Sequence, residues 1–185
     1  MMIPSSRFVV TLTLLASWFG LVQASSVDPL TGVRSDTRDT VEENKRWHEA
    51  QLVLPAYPQS GTLASLAVSA SARNQFFVDL PSLSVGTDGV VRYVLIVRTP
   101  GGAENVSYEG IRCELAQWKL YATGQGGEWS TARQSEWRTI ENKPVNRHHA
   151  ALWSEYFCPN GGILRSAEEG RDALRRGGHP SVGFK

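Results

Sequence analysis

The block Tyr108-Glu109-Gly110-Ile111-Arg112-Cys113 concentrates the residue types in this chain best suited to chemistry. A carboxylate at Glu109 and a planar guanidinium at Arg112 could line a pocket and hold a polar ligand. In a regular strand the two side chains face opposite sides, so they share a pocket only if Gly110 bulges. The structural alternative is an ion pair, or cross-strand partnership with Arg92 and Arg98. The histidines are His48, His148, His149 and His179. His148 and His149 are adjacent and would point about 100° apart on a helix, which does not suit one shared metal ion. There is no H-x-x-x-H, H-E-x-x-H or Cys/His cluster, so neither a metal nor a cofactor is expected. A histidine such as His149 could share acid–base work with Glu109 if the fold brought them together. Otherwise these are core or capping histidines, and no catalytic residue is assigned.

Beyond the first residues the tryptophans are Trp47, Trp118, Trp129, Trp137 and Trp153. Trp129 and Trp137 bracket the polar run Ser130 to Ser135, which makes them the better candidates for stacking against a sugar ring or a partner protein. Trp118 alternates within a strand pattern and Trp153 sits on an apolar helix face, so both are expected to be buried. Core packing is the alternative for all of them. The chain has 2 cysteines, Cys113 and Cys158. An even count in an exported chain indicates a disulfide; the alternative is a reactive thiol, for which there is no C-x-x-C spacing and no His at a telling offset. The loop it closes would contribute about 4 kcal/mol by restricting the unfolded chain. Asn105-Val106-Ser107 matches a glycosylation pattern by chance, and Gly124 to Gly127 lacks the lysine of a phosphate-binding loop.

The elements that must position these residues follow from hydrophobic pattern. Thr40 and Glu43 have capping-box spacing and predict a helix to about Leu52, stopped by Pro55 and Pro58. Leu63 to Ser69, Gln75 to Asp79 and Leu83 to Val85 read as strand segments. Gly86-Thr87-Asp88-Gly89 is a turn signal. Val90 to Arg98 is apolar on both faces, which predicts a central strand covered on both sides. Asn105 to Cys113, Gln117 to Ala122 and a short strand from Glu136 to Ile140 complete an antiparallel meander. Asn146 is a good N-cap for a helix that places His149, Leu152, Trp153, Tyr156 and Phe157 on one face. Ser166 to Arg176 is a second helix with acids first and bases last, the order the helix dipole favours. The expected fold is α+β: one domain at 39–176, an antiparallel sheet of about five or six strands, and helices on one face. Residues 25–38 read as a flexible lead-in and 177–185 as a disordered tail.

Arg7 followed by the apolar run Phe8 to Val22 and by Val22-Gln23-Ala24 has the form of a secretory signal peptide over residues 1–24. The run is about 15 residues, short of the roughly 20 that span a bilayer. An uncleaved anchor is the alternative. Cleavage leaves 161 residues, Ser25 to Lys185, in the periplasm with no membrane span. Without Arg7, 18 basic residues balance 18 acidic ones. That neutrality argues against nucleic acid and against anionic lipid surfaces as partners.

Phe77-Val78-Asp79, Ser82-Leu83-Ser84-Val85-Gly86, Asp88-Gly89-Val90-Val91-Arg92-Tyr93, Tyr108-Glu109-Gly110-Ile111-Arg112-Cys113 and Tyr156-Phe157-Cys158-Pro159 occur in this order. Together they resemble the CNP-one-like family of small exported proteins of Gram-negative bacteria, over roughly Trp47 to Leu174. The resemblance implies an exported single domain. It brings no established activity and no catalytic residues. Some of the relatives it implies are lipid-anchored, and this chain has no cysteine placed for that. The reading that results is a non-enzymatic module binding a protein or glycan component of the cell envelope. The alternative is an envelope hydrolase using Glu109 and a histidine.

Overall fold

A computed structural model describes residues 47–183. The expected signal peptide, lead-in and helix start at Thr40, and the last two residues, lie outside the described residues. Seven strands form one antiparallel sheet: β1 (Leu63–Leu66), β2 (Gln75–Val85), β3 (Val90–Arg98), β4 (Glu104–Arg112), β5 (Gln117–Gln125), β6 (Glu128–Thr131) and β7 (Arg138–Thr139). Their order is β1-β2-β3-β4-β5-β6, with β7 also pairing to β5. The helical segments are α1 (Arg147–Ala151), which runs on through a π-helical turn at Leu152–Phe157, and α2 (Ala167–Arg176). The fold is α+β with a single core domain, as expected.

β3 occupies the bounds its apolar run predicts, and its first seven residues are buried. Alternation along the sheet sorts side chains to two faces. Val91, Tyr93 and Leu95 pack with Ile111, Leu152, Tyr156, Phe157 and Leu174 on the helix side. Val94, Ile96, Val106, Tyr108 and Tyr121 form the core of the other side. β2 absorbs two expected strand segments into one, with a register shift between Asp79 and Ser84. Pro81 lies in that irregularity, where the ladder needs no donor from it. Ser82 repairs it: its hydroxyl donates to the Asp79 carbonyl at 2.7 Å and accepts from Val94 N–H at 2.9 Å.

Several features differ from the sequence reading, among them β6, which starts in a stretch read as a turn and a polar loop. Trp47 to Leu52 is not helical; it continues to Pro58 as an irregular strap. Leu52 and Tyr57 of the strap pack on the non-helix face of the sheet. Side-chain and backbone bonds to the sheet replace the helical ladder there, so tertiary contact overrides the local helix signal. Asn146 stands at the start of α1, but its side chain makes no capping bond. The stretch from Gly177 to Gly183 folds back instead of trailing. Gly177 closes α2 in the left-handed conformation, and His179 is buried, its N–H donating to Glu155 O at 2.7 Å. By contrast, Ser166 caps α2, accepting from Glu169 N–H at 3.2 Å.

Candidate functional site

Glu109 and Arg112 leave β4 on opposite faces. Glu109 lies across from Tyr93 in the β3–β4 register and turns to the helix side. Gly110 sits across from Arg92 on one side and Lys119 on the other. A Cβ at Gly110 would meet the Tyr121 ring and hydroxyl at 2.8 Å, so this is a close approach. The bulge is on the partner strand: Tyr108 pairs Ala122 and Glu109 pairs Leu120, leaving Tyr121 as the extra residue. Gly110 therefore does not turn Glu109 and Arg112 into one pocket. Arg112 is buried on the strap side, with its guanidinium 4.2 Å over the Trp47 ring.

On the helix side Glu109 gathers three donors. Ser107 donates to Oε1 at 2.7 Å, and Tyr93 donates to Oε2 at 3.0 Å. His149, from the first turn of α1, donates Nε2 to Oε2 at 2.9 Å. The Glu109 and His149 side chains are only 6% and 3% exposed. Trp118 of β5 stacks on the His149 ring at 3.8 Å between centroids. The His148 ring lies 4.1 Å from that of His149 and stacks on Phe76 at 5.2 Å. Burial alone would raise the Glu109 carboxyl. The bond and electrostatic pull of His149, with the bond from Ser107, outweigh that and hold it below its usual range. Burial first, and Glu109 second, push the Tyr93 hydroxyl well above its ordinary value. Burial, reinforced by the neighbouring His149, brings His148 down to about 4.

A carboxylate and an imidazole in contact are the parts of an acid–base pair. The remaining parts do not follow. A serine nucleophile gives its proton to the imidazole, whereas Ser107 donates to the carboxylate. His149 Nδ1 is buried with no hydrogen-bond partner among the described residues. Surface cavities of about 530, 300, 300 and 440 Å³ are formed by described residues without Glu109 or His149 in their walls. No group of three or more His, Cys, Asp or Glu among the described residues could hold a metal ion.

The strap side carries a charged network that the sequence reading missed. Asp88, in the turn before β3, accepts from Arg92 Nη2 at 2.5 Å and from Ala50 N–H of the strap at 2.8 Å. Its backbone carbonyl accepts from Trp47 Nε1 at 2.7 Å. Glu49 accepts from Lys119 at 2.7 Å and from the Tyr121 hydroxyl at 2.5 Å. Burial opposes charge on Asp88, but Arg92 and the Ala50 N–H prevail and hold its carboxyl low. The acid–base alternation Asp88/Arg92 is visible in the sequence; Glu49 lies 70 residues from Lys119, and nothing local links them.

The four tryptophans weighed above are all half-buried, including Trp118 and Trp153, which the pattern predicts to be buried. Trp129 donates Nε1 to Pro55 O at 2.9 Å and packs on Tyr57 at 5.3 Å. Trp137 meets Trp47 edge-on at 5.8 Å, and Lys119 Nζ lies 5.6 Å from its ring. Trp153 donates to Cys113 O at 3.1 Å. Cys113 and Cys158 form the expected disulfide, which ties the end of β4 to the end of the helical segment bearing His149. No helix among the described residues is long and apolar enough to cross a membrane.

No solved structure matches the chain significantly. A protein of Neisseria gonorrhoeae (strain ATCC 700825 / FA 1090) named Cryptic neisserial protein 1 is 27% identical over 151 residues, covering 71% of this chain and 74% of its own. The model of the CNP1-like family matches residues 42–175, and the chain belongs to that family, whose function is uncharacterised.

Proposed function

We propose that the chain is an exported, non-enzymatic module that binds a protein or glycan component of the cell envelope. The observation that carries this reading is the closure of the Glu109–His149 pair; a second carboxylate–imidazole contact among the described residues, Glu169–His179 at 3.2 Å, ties the first turn of α2 to the segment that follows it. Glu109 and His149 touch, but between the sheet and α1, under the Trp118 ring, with almost no exposure. A substrate would have to unpack the core to reach them. The disulfide fits an oxidising compartment. The partly exposed rings of Trp129 and Trp137 lie on the strap side, where large aromatic faces suit recognition.

Co-sedimentation of the purified chain with intact envelope glycan, alongside photo-crosslinking from positions beside Trp129 and Trp137 in envelope preparations, tests the reading. Saturable retention or a defined crosslink, weakened by Trp129→Ala or Trp137→Ala, is expected. Turnover of glycan, ester or peptide substrates that disappears in a folded Glu109→Gln variant overturns it in favour of the hydrolase.

A further inference from the structure

A cavity of about 440 Å³ opens where the β1–β2 connection, β2, β3 and the segment entering α1 meet. Its apolar walls include Val68, Phe76 and Val97, and Val145 beside them is 83% exposed. The charged residues lining it are both cationic, Arg73 and Arg147; no carboxylate lines it. Most of the described arginines are paired instead. Arg92, Arg98, Arg165, Arg171, Arg175 and Arg176 each meet a carboxylate. Arg73 and Arg147 have no acidic partner among the described residues, and Arg147 reaches only Ser69 Oγ, at the 3.5 Å limit of hydrogen bonding. His148 adds a flat wall through its stack on Phe76. With its pKa near 4 it is neutral around neutral pH and contributes a ring rather than a charge.

We propose that this cavity is a binding site for a small amphipathic carboxylate, with its acyl or aryl body against Val68, Phe76 and Val97 and its anionic head between Arg73 and Arg147. The volume lies in the range of roughly 300–1,000 Å³ typical of small-ligand sites, which combine apolar walls with a few convergent polar groups. A guanidinium presents paired donors that match a carboxylate, and the absence of any local acid leaves that fork available. A cationic ligand would meet like charge, and a neutral one would leave both guanidinium groups without a counter-charge. The site is separate from the Trp129 and Trp137 surface and stands or falls independently of the function proposed above.

Decanoate below its micellar concentration is the probe, with decanol and decyltrimethylammonium as chain-matched neutral and cationic controls. Binding is read by calorimetry and by backbone amide shifts. Saturable decanoate binding with shifts at Val68, Phe76 and Val97 is expected, at least tenfold tighter than decanol and with no saturation by the cation. Arg147→Gln weakens decanoate tenfold or more, Arg147→Lys less, and Trp129→Ala leaves it unchanged. Arg73 is exposed and Arg147 half-buried, and circular dichroism should show the variants folded. The proposal is overturned if decanoate does not saturate, if decanol binds as tightly, if the double variant R73Q/R147Q binds normally, or if only peptides ending in a free carboxylate shift these amides.

Discussion

Two polar clusters lie back to back across β3 and β4, and they are built on opposite plans. On the helix side a single acid, Glu109, takes donors from Ser107, Tyr93 and His149, and both of its oxygens are engaged. On the strap side two acids, Glu49 and Asp88, face Arg92 and Lys119 and also hold backbone and ring donors of the strap. The cover differs as much as the chemistry. The first cluster is sealed by apolar helices that Cys113–Cys158 ties to the sheet. The second is closed by an irregular segment with no ladder of its own, held through side chains. Polar residues in neighbouring strands thus take different roles according to what covers their face. A helix-sealed cluster should break globally, and a strap-sealed one should open locally.

The largest effect is expected from removing one partner of the sealed pair. His149→Ala should lower stability by about 3–5 kcal/mol, because a buried carboxylate loses its counterpart. Urea unfolding measures this. Replacing Glu109 and His149 together by apolar residues of similar size should recover most of the loss, since an apolar pair carries no desolvation cost. A His149→Ala loss below about 1 kcal/mol would falsify the sealed-pair account. Opening the Cys113–Cys158 link should cost about 4 kcal/mol by freeing the unfolded chain, and it should loosen the helix side more than the strap side.

Acid should also act first on the helix side. His148 binds its proton near 4 when folded and near 6.5 when unfolded, so the unfolded state takes up more protons between those values. Stability is therefore full above about pH 6.5 and falls as pH drops toward 4, by up to about 3 kcal/mol. Glu109, held low when folded, adds stability above its unfolded value that is lost as pH falls through its folded one. His148→Phe should flatten the upper part of this profile and leave the Glu109 part. Chemical denaturation at several pH values checks it; wild-type stability constant from pH 7 to 4.5 contradicts it.

On the strap side, Asp88→Asn should weaken the hold on Trp47 to Leu52 at a cost of about 1–3 kcal/mol, the range for hydrogen bonds to a charged group. Hydrogen exchange distinguishes the local from the global outcome. The Ala50 amide, which donates to Asp88, should lose protection while amides in β3 keep theirs. Equal acceleration in both places would mean that the strap and the sheet unfold as one unit.

The sequence discloses local features of this architecture and hides the long-range ones. β3 is legible because nine residues from Val90 to Arg98 carry an uninterrupted strand signal. The acid-to-base gradient of α2 is legible for the same reason: the residues that make it lie within a few positions of one another. The opposed faces of Glu109 and Arg112 follow from strand parity alone. The pairing of Glu109 with His149 spans 40 residues, and nothing local selects His149 over His48 or His179. The strap is misread because Thr40, Glu43 and the following pattern favour a helix, while the bonds that hold Trp47 and Ala50 come from Asp88, 41 and 38 residues away. His179 escapes notice because a short polar tail gives no sign of the Glu155 carbonyl waiting for its amide.

The last differences concern the tryptophans, and they sharpen the comparison most. Trp118 covers His149 on the helix side, so its loss exposes the polar pair as well as leaving a hole. Trp118→Ala should approach the 3–5 kcal/mol typical of a core aromatic, despite the ring being half-buried. Trp129 is also half-buried, but it rests against Tyr57 and Pro55 of the strap, which can settle into the vacated space. Gly124 lies directly beneath Tyr57, whose ring atoms stand 2.8 Å from where a Cβ would be, so that side of the sheet is already contoured to the strap. Trp129→Ala and Trp137→Ala should therefore cost about 1–2 kcal/mol, through partial transfer and relaxation. Thermal midpoints of the three variants decide the matter. If Trp129→Ala and Trp137→Ala lower the midpoint as much as Trp118→Ala, all three rings serve the core, the strap is as rigid as the helices, and the aromatic binding surface should be abandoned.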